Sequence, residues 1–238
     1  MNLLAFDTAT PATVVAAAPD PDHVTVRRHD PTPGARPAHA TALLPLVDEA
    51  LAAAGLDLAD LERLGVGIGP GSFTGLRIGL ATARGLAQAL GLPLVPVSSL
   101  HALAAGASAE VGPDRPVLAV IDAGRGEGFA LAVRGDRRLG EPAALGPEAL
   151  AQAVAALAAD PGQPAATPLA VGGGAVRFQA QLRAAGAAVP ADESPLHRLD
   201  GRPLCRLAAA AETADRDAVL PHYARAPDAT PHPQPNQS

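Results

Sequence analysis

The chain has 238 residues and a formal net charge of −6, enough for one large domain or two small ones, and its 48% apolar but 2% aromatic content leaves alanine and leucine to fill the interior. All 18 basic residues are arginine, so a P-loop, a kinase strand lysine, a Schiff base and a Ser-x-x-Lys pair are each excluded. No arginine-dense stripe supports an independent grip on nucleic acid, no apolar run approaches the ~18 residues of a membrane span, and a lone Cys205 with no leader in view points to a reducing, cytoplasmic setting.

Leu3 to Phe6 reads as an apolar strand ending at Asp7, with Thr13 to Ala18 and Val24 to Arg28 as two more strands around the turn Pro19-Asp20-Pro21-Asp22. Three hairpin-joined strands with Asp7 at the end of the first resemble the opening of the actin, Hsp70 and sugar-kinase superfold, where such an aspartate attends metal and phosphates. The alternative is that Asp7 caps its own turn through Thr8 and Thr10, because the glycines of a phosphate loop do not follow it. The proline-rich stretch Asp30 to Pro37 leads into a helix from Ala38 to Ala54, with Leu43, Leu44, Val47 and Leu51 at helical spacing, Pro45 as an internal kink and His39 as a capping or surface histidine.

Leu64 to Ile68 is a short apolar strand, Gly69-Pro70-Gly71 a sharp turn, and Ser72 an N-cap for a helix from Phe73 to Leu90. Gly71, Gly75, Gly79, Ala83 and Ala87 recur every four positions and form a ridge almost without side chains. Two glycines well inside a helix cost roughly 2 kcal/mol against alanine, which close packing must offset. Either this helix lies tightly on its own sheet, or the ridge, or the adjacent face of Leu76, Leu80 and Arg84, meets a helix of another subunit. The strand Leu94 to Val97 completes a mixed sheet of about five strands with helices on its faces.

From Ser98 the pattern begins again: a helix to Ala107, a strand Val117 to Ile121 ending at Asp122, a partner strand Phe129 to Val133 turning at Gly135-Asp136, and a helix Glu148 to Ala159. A strand Leu169 to Val171 runs into Gly172-Gly173-Gly174, either the relic of an adenosine-binding loop or a plain strand-to-helix turn, with a short helix to Ala185. Pro203 to Ala214 is the last helix, and the end from Pro227, proline and polar residues with no apolar partner, is expected to be disordered.

The seven histidines include no pair three or four apart, so H-x-x-x-H and H-E-x-x-H metal motifs are absent. Ser72 is no nucleophile elbow, since Pro70 and Thr74 stand where glycines are required. Cys205 lies in an apolar helical pattern suited to a buried, inert thiol. Asp122, Arg125 and Glu127 concentrate charge on one strand-turn-strand element, where a local ion-pair network is simpler than acid-base chemistry.

The string GPGSFTGLRIGLATARGLA, with LLAFDTAT, RPAHATALLPLVDEAL, IDAGRGEGFAL and LPHYAR, resembles the TsaB (YeaZ) family over Leu3 to about Arg225, nearly the whole chain. The departures are Gly124 in place of an arginine, and Gly128 with Phe129 in place of valine and tyrosine, which puts that arginine's contact in doubt. The resemblance implies an α/β, duplicated actin/Hsp70/sugar-kinase fold of two mixed-sheet halves, residues 1–98 and 99–202, with helix 203–214 packing back on the first and a tail over 226–238. It implies a non-catalytic subunit, with no catalytic, cofactor or metal residues and no tightly bound cofactor, required with a TsaD-like catalytic subunit and a TsaE-like ATPase for threonylcarbamoylation of adenosine 37 in tRNAs reading codons that begin with A. ATP and metal are expected in those partners, tRNA only through the complex, and a homodimer when alone. The expected interface joins His39, Leu43, Leu44 and Val47 of one helix to Phe73, Leu76, Arg77, Leu80, Ala83 and Arg84 of the other. An active small-molecule kinase or acyl-transferring enzyme on the same superfold is the alternative, and a degenerate peptidase a distant third.

Overall fold

The computed structural model describes residues 1–20, 22–32, 34–159 and 166–224, so the tail expected over 226–238 lies outside the described residues. The elements are β1 (Leu3–Asp7), β2 (Thr13–Asp20), β3 (His23–His29), α1 (His39–Ala54), β4 (Arg63–Gly69), α2 (Phe73–Leu90), β5 (Leu94–Ser98), α3 (Ser99–Val111), β6 (Pro116–Gly124), β7 (Glu127–Arg134), β8 (Arg137–Arg138), β9 (Ala143–Leu145), α4 (Pro147–Ala158), β10 (Leu169–Val171), α5 (Gly173–Arg177), α6 (Gln179–Ala184) and α7 (Gly201–Ala210).

The first sheet runs β3-β2-β1-β4-β5, with β1 antiparallel to β2 and parallel to β4. The second repeats that kernel as β7-β6-β10, β6 lying antiparallel to β7 and parallel to β10, with β8 and β9 both on β7. Even the fifth strand has a trace, a single parallel bridge from Leu169 to Ala188 on the free edge of β10. Duplication of one mixed-sheet unit is the architecture of the actin, Hsp70 and sugar-kinase superfold.

Strand alternation decides what covers each face. Leu4 and Phe6 of β1 meet Leu43, Leu46 and Val47 of α1 and Leu80, Ala83 and Ala87 of α2. Leu3 and Ala5 face the other way, onto Leu204, Cys205 and Ala208 of α7. α3 lies between the sheets: Ala102 joins the α7 side of the first, while Leu100 and Leu103 pack on Ala119, Ile121 and Leu131 of the second. The outer face of the second sheet is closed by Leu150, Val154, Phe178 and Leu182 of the α4–α6 region.

Three expectations about element ends change. α3 continues to Val111 instead of stopping at Ala107, and the helix expected through Ala185 is two, broken at Phe178. The last helix starts at Gly201, capped by Asp200, and ends at Ala210 instead of Ala214, because the Arg63 guanidinium takes the carbonyls of Ala208, Ala209 and Ala211, each at 3.0 Å. Ala214 is extended and bridges Leu94. α1 passes through Pro45 as one element.

Candidate functional site

The turn after β1 is fixed from three directions. Asp7 is 1% exposed; its Oδ1 accepts from Ala9 N (2.7 Å) and its Oδ2 from Ser99 Oγ (2.5 Å), whose oxygen in turn accepts from Gly69 N (3.1 Å). Asp7 therefore does cap its turn, but through Ala9 and Ser99 instead of Thr8 and Thr10. Thr8 Oγ1 instead donates to Gly75 O at 2.7 Å, and Ser72 N donates to Ala9 O at 2.7 Å. Burial pushes the Asp7 carboxyl above the usual carboxylate range, and the hydrogen bonds from Ser99 and Ala9 only partly oppose it.

The glycine ridge explains this closeness. A Cβ on Gly71 would collide with the Ala9 carbonyl, on Gly75 with the Thr8 carbonyl, on Gly79 with the Thr8 hydroxyl, and on Gly67 with the Asp7 carboxylate itself. The ridge thus lies on the β1–β2 turn of its own chain. Ser72 caps α2 as expected, accepting from Gly75 N at 3.2 Å.

This turn floors a cleft of about 1240 Å³ between the two sheets. Ala9–Ala12 and the start of α2 form one wall; Ile121–Gly124, Phe129 and Gly173 form the other. On the second wall Asp122 accepts from Gly124 N (2.8 Å) and pairs with Arg177 at 2.6 Å, a partner 55 residues away that no local pattern announces. Gly172 leaves β10 at φ 101° against the Val120 carbonyl, and its N–H donates to His197 Nδ1 at 3.1 Å. Among the described residues no three His, Cys, Asp or Glu side chains stand close enough to hold a metal ion. Both Asp7 oxygens are thus engaged beneath the surface, and Asp122 is paired with Arg177.

The expected interface divides sharply. Leu43, Val47, Leu76, Leu80 and Ala83 are at most 5% exposed, packed inside this chain, which corrects the idea that the stripe beside the ridge faces outward. A helix on a sheet must spend one apolar stripe on that sheet. His39 is corrected from a capping or surface histidine to one 3% exposed, its Nδ1 2.8 Å from Thr13 Oγ1, with burial holding its pKa down and the ring neutral. Arg84 is half-buried and engaged, donating to the carbonyls of Arg216, Asp217 and Val219. Leu44 (52%) and Phe73 (53%) are exposed, as is Arg77, whose guanidinium lies 3.8 Å from the Phe73 ring centre.

Tyr223, whose ring stands 5.5 Å from Phe73, was missed, as was Ser99. The available signal for Tyr223 was LPHYAR, unusual for holding the lone tyrosine; Gly67 inside a strand marked a close approach, which is to Asp7, and nothing local marked Ser99. Cys205 is buried and its thiol is pushed up to about 12, in keeping with an inert group.

A family model described as "TsaD: tRNA N6-adenosine threonylcarbamoyltransferase" matches residues 30–221. The Escherichia coli protein named tRNA threonylcarbamoyladenosine biosynthesis protein TsaB is 44% identical over 127 residues, 53% of this chain and 52% of its own length. The chain thus spans about half the length of the curated TsaB relatives it matches. An uncharacterized Mycobacterium tuberculosis protein is 40% identical over 239 residues, covering 97% of this chain and 94% of its own. The solved structure of YeaZ from Pseudomonas aeruginosa superposes with a TM-score of 0.76 at 30% identity, covering 93% of this chain and 99% of that one. Matched along its length in both sequence and fold, the chain belongs to the TsaB (YeaZ) family.

Proposed function

We propose that this protein acts in threonylcarbamoyladenosine biosynthesis on tRNA as a non-catalytic subunit that a TsaD-like transferase requires. The observation that carries this is the state of the strand-end aspartates: Asp7 is sealed by Ala9, Ser99 and Gly67, and Asp122 is held by Arg177. The architecture is kept, with the first-half carboxylate sealed in its own turn and the second-half one paired to an arginine at the edge of the cleft. The name of the E. coli relative supplies the pathway.

The surface that remains for the transferase is the outer edge of α1 and α2, with Leu44, Phe73 and Arg77 exposed upon it. A TsaE-like ATPase joins that complex, ATP and metal belong to the partners, and tRNA is reached through them, consistent with a net charge of −6. Without a partner the same surface pairs two copies of this chain. No helix among the described residues is long and apolar enough to cross a membrane, and we place the protein in the cytoplasm with its tRNA substrate.

The test is reconstitution of threonylcarbamoylation with each component omitted in turn. Omission of this protein is expected to abolish modification, and the protein alone is expected to hydrolyse no ATP. Full modification without it, or robust hydrolysis by it alone, overturns the reading and favours an enzyme.

A further inference from the structure

α1 follows a stretch whose described residues from Thr32 to Pro37 are all exposed, and its Ala38 N-cap supplies no side-chain hydrogen bond. The first side chain of the helix to be buried is His39, and the next is Leu43, one turn on. His39 therefore anchors the first turn alone. Its ring lies where three elements meet. Nδ1 stands 2.8 Å from Thr13 Oγ1 on β2, and Nε2 faces the bare start of α2, where a Cβ on Gly75 would come within 3.2 Å of it. On β3, His29 stands opposite Thr13 in the sheet register, so two imidazoles neighbour one threonine. His39 Nε2 and His29 Nδ1 are both buried, and neither has a hydrogen-bond partner among the described residues. A buried polar nitrogen without a partner is rare in a native fold and calls for a physical reason.

We infer that His39 is a proton-sensitive anchor: neutral, it seats the first turn of α1 on β2 and α2, and protonated, it releases that turn. An imidazolium carries two N–H donors, and only the Thr13 hydroxyl is placed to accept one of them. The other is left buried against Gly75 without an acceptor, which a charged donor tolerates least. The ring also stands at the N-terminus of a 16-residue helix, where a positive charge is disfavoured. Burial first, and then the charge of His29, holds His39 below the ordinary imidazole value. Of the groups that face the ring, Thr13, Gly75 and His29, only His29 titrates, and its neighbours Arg28 and Asp30 pair with each other at 2.8 Å. A histidine whose folded pKa is lowered opposes folding as pH falls through its unfolded value, 6.5, toward the folded one. The raised carboxyl of Asp7 acts with the opposite sign and cannot supply this loss. Leu44, exposed on the next turn of α1, is loosened together with His39. That consequence for docking rests on the role proposed above, whereas release of the turn does not.

Hydrogen exchange read by mass spectrometry on the full chain, corrected for the intrinsic pH dependence of exchange, tests it at about pH 7.5 and about pH 5.5, one unit on either side of the ordinary imidazole value of 6.5. A released turn titrates at that ordinary value and a seated one below it, so protection over Thr41 to Leu44 is expected to fall about tenfold between the two conditions. α4, in the other half, should keep its protection. His39→Gln, polar but without a charge to gain in this range, should show equal protection over Thr41 to Leu44 at both pH values. A loss that persists in the folded His39→Gln variant overturns the anchor, because another group would then be its source, and so does level protection in the wild type. The ring gives a second reading that depends on no variant folding: its NMR titration in the wild-type protein should have a midpoint below 6.5, and a midpoint at or above that value overturns the inference. None of these readings needs a partner, so they stand or fall apart from the transferase role.

Discussion

Asp7 ends β1 of the first half, and Asp122 stands near the end of β6, the corresponding strand of the second, yet the two carboxylates occupy opposite environments. Asp7 is roofed by α2, whose glycines let its backbone settle on Thr8 and Ala9. Asp122 is open to the cleft, because the helix at the equivalent place, α5, has only five residues and its closely packed glycines, Gly172 and Gly174, settle on Val120 and Ile121, short of Asp122. The same strand order therefore gives a closed turn where the glycines of an 18-residue helix settle over it and an open one where the glycines settle on the strand before it. The cleft is therefore bordered by a sealed carboxylate on one side and an exposed, arginine-paired one on the other, while the aspartate of the first half holds β1, β4 and α3 together.

The contrast can be broken most directly at Leu80. It is 5% exposed in the α1–α2 core, so Leu80→Arg should destabilise the protein by about 3 kcal/mol or more, as an unpaired buried charge does, and not merely weaken association. Chemical denaturation measures this; an unchanged midpoint would return Leu80 to the surface. Next, Gly75→Leu forces a side chain into the Thr8 carbonyl and should cost about 3 kcal/mol.

Asp7→Asn should cost about 2 kcal/mol, because an amide places donors where Ser99 Oγ already donates. Its pH dependence has a definite sign. The folded-state pKa of Asp7 lies above its unfolded value, so its contribution is full below the ordinary carboxylate pKa and declines as pH rises through the folded value. The deficit of Asp7→Asn should accordingly be largest at low pH and narrow as pH rises; a deficit that widened would show that the carboxylate is stabilised by its surroundings as an anion. In the second half Asp122→Asn removes a half-exposed ion pair and should cost under about 1 kcal/mol. Smallest of all, Gly173→Ala should lie within about 0.5 kcal/mol of the wild type, against the heavy cost of the glycine change in α2. Equal costs at Gly75 and Gly173 would erase the distinction between the halves.

Much of this was legible in the residues. The continuous short apolar runs at Leu3–Phe6, Thr13–Ala18 and Val117–Ile121, the proline and glycine punctuation between them and the Ser72 cap marked the elements and their order, because those signals are local. The four-residue repeat of Gly71, Gly75 and Gly79 announced a close approach but could not name the neighbour, since a bare ridge fits a foreign helix and a home turn equally well. The Asp7–Ser99 and Asp122–Arg177 pairs, separated by 92 and 55 positions, had no local signal at all. Those partners were created by the packing of α3 and α5.

By itself the sequence determined the two-half α/β plan, the lysine-free chemistry and the family, because periodicity, turn residues and a long specific string are properties of the chain read in order. Only the tertiary structure decided which face of α2 was spent inside, that Arg84 holds the chain at Arg216 to Val219, and that one strand-end aspartate is sealed while its counterpart stays open. A hydrophobic stripe specifies that something must cover it; what covers it depends on where distant segments arrive, and that is settled by packing in three dimensions.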